Sequence, residues 1–123
     1  MRYDPEVAPD RAVWLATPEA DRLAAAEQHH KTAKRGADSP ELHAAIHVAV
    51  ETQLAERHPA ATAAMDRLIA DGLTRHDALH AIGSVMAAEM FDILKSKRTH
   101  DPEAYSRKLH QLTAASWRAA DRE

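Results

Sequence analysis

Apolar residues recur at three- and four-residue intervals along most of this chain, and no stretch alternates with the two-residue period of a strand. Start and stop signals divide the pattern. Thr17-Pro18-Glu19, Ser39-Pro40-Glu41 and Asp101-Pro102-Glu103 each offer a capping side chain, a proline at the first helical position and an acid facing the positive end of the helix dipole. Thr74 with Asp77 forms a fourth start, and Pro59 and Gly72 bracket a further helix. The punctuation predicts helices over 18–34, 40–57, 59–71, 74–97 and 102–121. The expected fold is all-α: a compact bundle of about five helices with short connections, built as one domain over 17–123. Residues 1–16, rich in charge and proline, read as an extended arm.

Two of these helices carry His-x-x-x-His: His43–His47 and His76–His80, the first continuing to Glu51 one turn later. Side chains four apart stack on one helix face, close enough to grip one ion. At about 100° per residue, with His43 at zero, His47 falls at about 40°, Val50 at about 340° and Leu54 at about 20°, so both histidines sit within the apolar stripe. Glu51, at about 80°, lies on its edge. On the fourth helix, His76 and His80 head a stripe that continues through Gly83, Ala87 and Phe91. Gly83 leaves either a close helix contact or an open space. Each polar nitrogen buried without a partner costs about 1–3 kcal/mol, and a metal would satisfy several at once. The alternatives are a hydrogen-bonded polar core and surface histidines. His43, His47, Glu51, His76 and His80 are therefore the expected metal ligands.

Eight residues of helix rise about 12 Å, so His43 and Glu51 do not close on one ion. Glu51 either bridges two ions, as the catalytic carboxylate of a dinuclear centre, or orients His47 from behind. Glu89 and Asp92 fall on the opposite side of their helix and are set aside. On the first long helix, Leu23, Glu27 and His30 share a face with carboxylate-bundle spacing, whereas His29 points elsewhere and nearby lysines favour a surface position. The internal echo of His43–Glu51 in His76–Ser84 suggests two-fold pseudo-symmetry about a shared site.

Composition narrows the chemistry. The 123 residues contain nine histidines and no cysteine, which excludes thiolate zinc sites, iron–sulfur clusters and cysteine nucleophiles. Sixteen basic and 19 acidic residues give a formal charge of -3, without the basic footprint of a nucleic-acid binder. No segment approaches the roughly 20 apolar residues of a membrane span. A soluble, cytoplasmic protein is expected, and abundant alanine predicts close helix contacts. Homodimerisation of such a bundle is compatible with the sequence.

The stretch from His43 to about Leu94 resembles an uncharacterised bacterial family of small helical proteins, through His43, His47, Glu51, Gln53, Pro59, His76, Ala78 and His80. The resemblance implies a helical metal-binding fold, with an acid where this chain has Ser84. More distantly, the histidine-rich bundle is similar to hemerythrins, which hold two irons, although their ligand spacing differs. Imidazole-rich sites suit iron or zinc better than magnesium or calcium. A divalent transition metal is expected, iron first and zinc second. The leading functional expectation is a non-heme iron centre, mono- or dinuclear, acting on dioxygen or a small-molecule substrate in redox chemistry. A zinc-dependent hydrolase and a structural or sensing metal protein are the alternatives.

Overall fold

The structure, a computed structural model, describes residues 2–33 and 40–121, and it is all-α. Seven helices lie among the described residues: α1 (Arg11–Ala16), α2 (Glu19–Ala33), α3 (Pro40–Ala55), α4 (Pro59–Ala70), α5 (Arg75–Ser96), α6 (Pro102–Gln111) and α7 (Ala114–Asp121). Four of the five expected helices appear as single elements, the expected 102–121 helix is divided into α6 and α7, and α1 is additional. No helix among the described residues is long and apolar enough to cross a membrane.

Capping chemistry sets most boundaries. Thr74 Oγ1 accepts the Asp77 amide at 3.1 Å, and Asp101 Oδ1 accepts the amides of Glu103 and Ala104 at 3.1 and 3.2 Å. His58 occupies the cap before Pro59, its Nδ1 accepting from the Ala61 amide at 3.2 Å. Gly72 closes α4 at φ +99°, a conformation that favours glycine. The expected cap Ser39 lies outside the described residues.

The first correction concerns the arm. Residues 2–10 are non-helical, but residues 11–16 form α1, capped by the Asp10 carboxylate on the Val13 amide at 3.0 Å. A helix of six residues is too short to display a 3.6-residue period. Its anchor is Trp14, 1% exposed, whose indole donates to Thr52 Oγ1 at 3.1 Å. The second correction splits the expected 102–121 helix. Leu112 is extended (φ -69°, ψ 128°), and a reciprocal box of Thr113 and Ser116, with side-chain-to-amide bonds of 3.0 and 3.1 Å, restarts the chain as α7. The Arg67 guanidinium donates to the carbonyls of Leu109 and Leu112 at 2.7 and 2.9 Å, satisfying acceptors left over at the break.

The α3 helix is central, packing on α1, α2, α4 and α5. One core cluster lies on its α4–α5–α6 side, around Val50, Leu68, Leu79, Ile82 and Leu109, and a second joins α2 and α3 through Ala25, Ala26, Ala44 and Val48 with Tyr3 and Trp14. Each large aliphatic side chain buried there contributes about 1.5–3 kcal/mol. Small residues let helices close up, as the alanine content predicts. At Gly83 the approach is close: an added Cβ would stand 2.6 Å from Ile46 Cγ2. The glycine therefore serves close contact between α3 and α5.

On the other side of α5, Glu89 is 2% exposed and gathers Arg98 at 2.7 Å, His100 Nδ1 at 3.2 Å and Lys108 at 3.5 Å. Hydrogen bonds from Arg98 outweigh the opposing effect of burial and hold the Glu89 carboxyl down at about 2. A carboxylate depressed in the folded state contributes stability above its ordinary pKa of 4.5, and that contribution is lost as pH falls through about 2. Replacing Glu89 by Gln is thus expected to lower the melting temperature at neutral pH, with the gap to wild type closing across that acidic range. Melting curves that stay parallel down to the lowest pH would contradict this role.

Candidate metal centre

The helices α3 and α5 run antiparallel, as the contacts Glu51–Arg75, His47–His80 and Ile46–Gly83 require. This register makes the sequence echo meaningful. His47 and His80 meet at the middle of the crossing, their Nε2 atoms 3.0 Å apart. Towards one end His76 adds its ring, 4.4 Å from His80 and 5.2 Å from His47 between centroids. One nitrogen from each of His47, His76 and His80 falls within a mutual distance of 4.8 Å. Three imidazole nitrogens at 2.0–2.1 Å from a tetrahedral ion would be about 3.4 Å apart, so small ring movements suffice to enclose one. His47 is 3% exposed, and His76 Nε2 is shielded from solvent.

At the opposite end of the crossing, His43 and Ser84 line a cleft of about 280 Å³ with Ile46, His47, His80, Gly83, Ala87 and Trp117. The His43 ring lies 6.4 Å from that of His80. Of the four expected histidines, three converge among the described residues, and His43 lines the cleft beside them.

Glu51 is held by other groups. Both its oxygens receive the Arg75 guanidinium, at 2.7 and 2.8 Å, and Oε2 also accepts the Tyr3 hydroxyl at 2.6 Å. The carboxylate is 2% exposed and Arg75 is largely buried. Burial works against the charged guanidinium, but the hydrogen bonds and charge of Glu51 prevail and raise its pKa. Burial, reinforced by Glu51, holds the Tyr3 phenol well above its ordinary range, so Tyr3 keeps its proton. Of the two roles open to Glu51 from its spacing, this geometry suits the one behind His47, reached through Tyr3.

Tyr3 oxygen lies 3.0 Å from His47 Nδ1. Because the phenol proton is committed to Glu51, the oxygen accepts from His47, and Nδ1 carries the hydrogen. His47 Nε2 consequently presents a lone pair to the cluster, the tautomer a metal requires. His80 Nε2–H then donates to it across the 3.0 Å contact.

Tyr3, Arg75 and His29 border the cluster, and the spacing argument does not identify them. His29, expected to point elsewhere, has its ring 5.8 Å from His76 and 6.2 Å from Tyr3. A signal was present: His29 follows the fully packed Ala25 and Ala26 by four and three residues, on the face that α2 turns to α3. Arg75 opens α5, where a long side chain reaches back beyond the helix. Tyr3 had no local signal, since it belongs to an irregular segment. Glu27 is half-buried, and the side chain of His30 lies outside the described residues.

Fold and site together define an antiparallel helical bundle with a buried histidine cluster at one helix crossing. The chain belongs to the family described as Domain of unknown function (DUF1841), which matches residues 12–111 and so includes all the clustered histidines, but not Tyr3. No curated protein and no solved structure matches the chain significantly.

Removing one partner of a buried pair typically costs about 3–5 kcal/mol, because the other charge is left uncompensated. Glu51→Gln is expected to fall at the low end, about 3 kcal/mol by denaturant unfolding, since Arg75 retains some exposure. A change below about 0.5 kcal/mol would show that the pair does not organise the site.

Proposed function

We propose that this chain is a metal-binding helical-bundle protein whose His47, His76 and His80 hold one divalent transition metal ion. The observation that carries the reading is the convergence of three imidazole nitrogens from two helices within 4.8 Å. Support comes also from the Tyr3 contact that leaves His47 Nε2 unprotonated. Since Glu51 is engaged by Arg75, the donor set is three neutral imidazoles, which favours a single ion over a carboxylate-bridged pair.

Three histidines with an open fourth position suit zinc, which makes a bound water acidic enough to act as a nucleophile near neutral pH. The cleft beside His47 and His80 supplies the space for that position and for a small substrate, with His43 and Ser84 as its polar groups. Hydrolysis by a zinc centre is the reading this donor set favours. Iron acting in oxygen or redox chemistry, the preference from the sequence, is the second reading. It draws support from the imidazole donor set, which suits iron as well as zinc.

Elemental analysis of the purified protein and three variants tests the site. About one ion per chain is expected in wild type and in His43→Ala, with that ion lost in His47→Ala and His80→Ala. Retention of the full metal content in both latter variants would overturn the proposal, and two ions per chain would restore the dinuclear reading.

A further inference from the structure

The segment ahead of α1 is anchored at three separate points at or beside the histidine cluster. Tyr3 is 6% exposed, and its hydroxyl joins His47 Nδ1 to Glu51. The Pro5 carbonyl accepts from Arg75 at 3.0 Å, on the same guanidinium that grips Glu51. Glu6 Oε1 accepts the backbone N–H of His76 at 2.9 Å, filling an amide that the first turn of α5 leaves without an intrahelical acceptor. Within the segment, Asp4 folds the chain back by accepting the Glu6 amide on its side chain and the Val7 amide on its carbonyl. The Tyr3 ring packs among Trp14, His29 and His47, at 5.8, 6.2 and 5.9 Å between centroids. Two of the anchors thus fall on clustered histidines, and the third on the residue immediately before one of them.

We infer that Tyr3 is the positioning residue of the metal centre, and that residues 3–6 form a latch whose docking and metal loading reinforce each other. The inference rests on the metal reading above. Its physical basis is the hydrogen count at one ring. A neutral imidazole carries one N–H, and a metal on Nε2 obliges that hydrogen to reside on Nδ1. Tyr3 accepts at Nδ1 and favours the same tautomer. A bound ion therefore strengthens the Tyr3 contact by excluding the tautomer that lacks it, and a docked Tyr3 presents the lone pair the ion needs. By linkage, the factor by which Tyr3 improves metal affinity equals the factor by which metal favours the docked segment.

Zinc titration and amide hydrogen exchange of the full chain test this together, using wild type, Tyr3→Phe and Glu6→Ala. Tyr3→Phe keeps the ring and removes the oxygen; loss of such an outer partner typically weakens metal binding about 10- to 100-fold. Zinc affinity is expected to drop about tenfold in Tyr3→Phe. Zinc is expected to slow exchange of the residue 3–7 amides in wild type, and much less in Tyr3→Phe. Glu6→Ala, which leaves Tyr3 intact, provides a second check: faster exchange in the segment without zinc, and a smaller loss of affinity. A merely structural tyrosine would lower stability without altering the zinc-induced protection. Unchanged zinc affinity in Tyr3→Phe, or segment exchange indifferent to zinc, would overturn the latch while leaving the metal centre standing. Failure of wild type to bind zinc, iron or any other divalent transition ion would overturn both.

Discussion

The bidentate pair of Glu51 and Arg75 is the constraint on which the rest of this architecture depends. It joins the C-terminal half of α3 to the first residue of α5, fixing the register in which His47 faces His80. It also provides the seat for Tyr3 and Pro5. Burying two charges is costly, and their mutual attraction does not by itself guarantee a net gain in stability. The pair instead makes alternatives expensive. Sliding either helix by one turn would strand a guanidinium or a carboxylate in the interior, at a cost comparable to a large share of a small domain's total stability.

Committing Glu51 in this way shapes the chemistry available beside it. A carboxylate shared with an ion would lower the net charge of a metal centre and could bridge to a second ion. Held by Arg75, it leaves imidazoles alone to face the proposed metal, and a divalent ion there would keep its full positive charge. Such a charge would favour an anion or an ionising water at an open position. The pseudo-symmetry of the two His-x-x-x-His segments is accordingly broken. Glu51 closes one end of the crossing, and its counterpart Ser84 lines the open cleft at the other.

Much of this was legible in the sequence because it is local. Capping residues and prolines mark the ends of α4, α5 and the start of α6 to within a residue, and the helical phase of His47, His76 and His80 places them on packed faces. The same phase argument gave His43 equal standing, since a single helix does not reveal where the neighbouring helix crosses it. The crossing point depends on Gly83 meeting Ile46, a contact between residues 37 apart in sequence. Tyr3 and Arg75 were beyond reach for a related reason: each meets partners more than 20 residues away, Tyr3 from an irregular segment and Arg75 from the first residue of α5. The α6–α7 break could have been read from Thr113 and Ser116, a capping box with serine in place of the usual acid.

X-ray absorption spectroscopy of the metal-loaded protein tests the central claim most directly, because it reports ligand type and neighbouring metals at once. The account predicts about three imidazoles at roughly 2.0–2.1 Å around the ion, completed by a light exchangeable atom. It predicts no second metal in the surrounding shells. A metal–metal vector at about 3.5–4 Å would contradict it, since two ions at that spacing are the mark of a dinuclear centre.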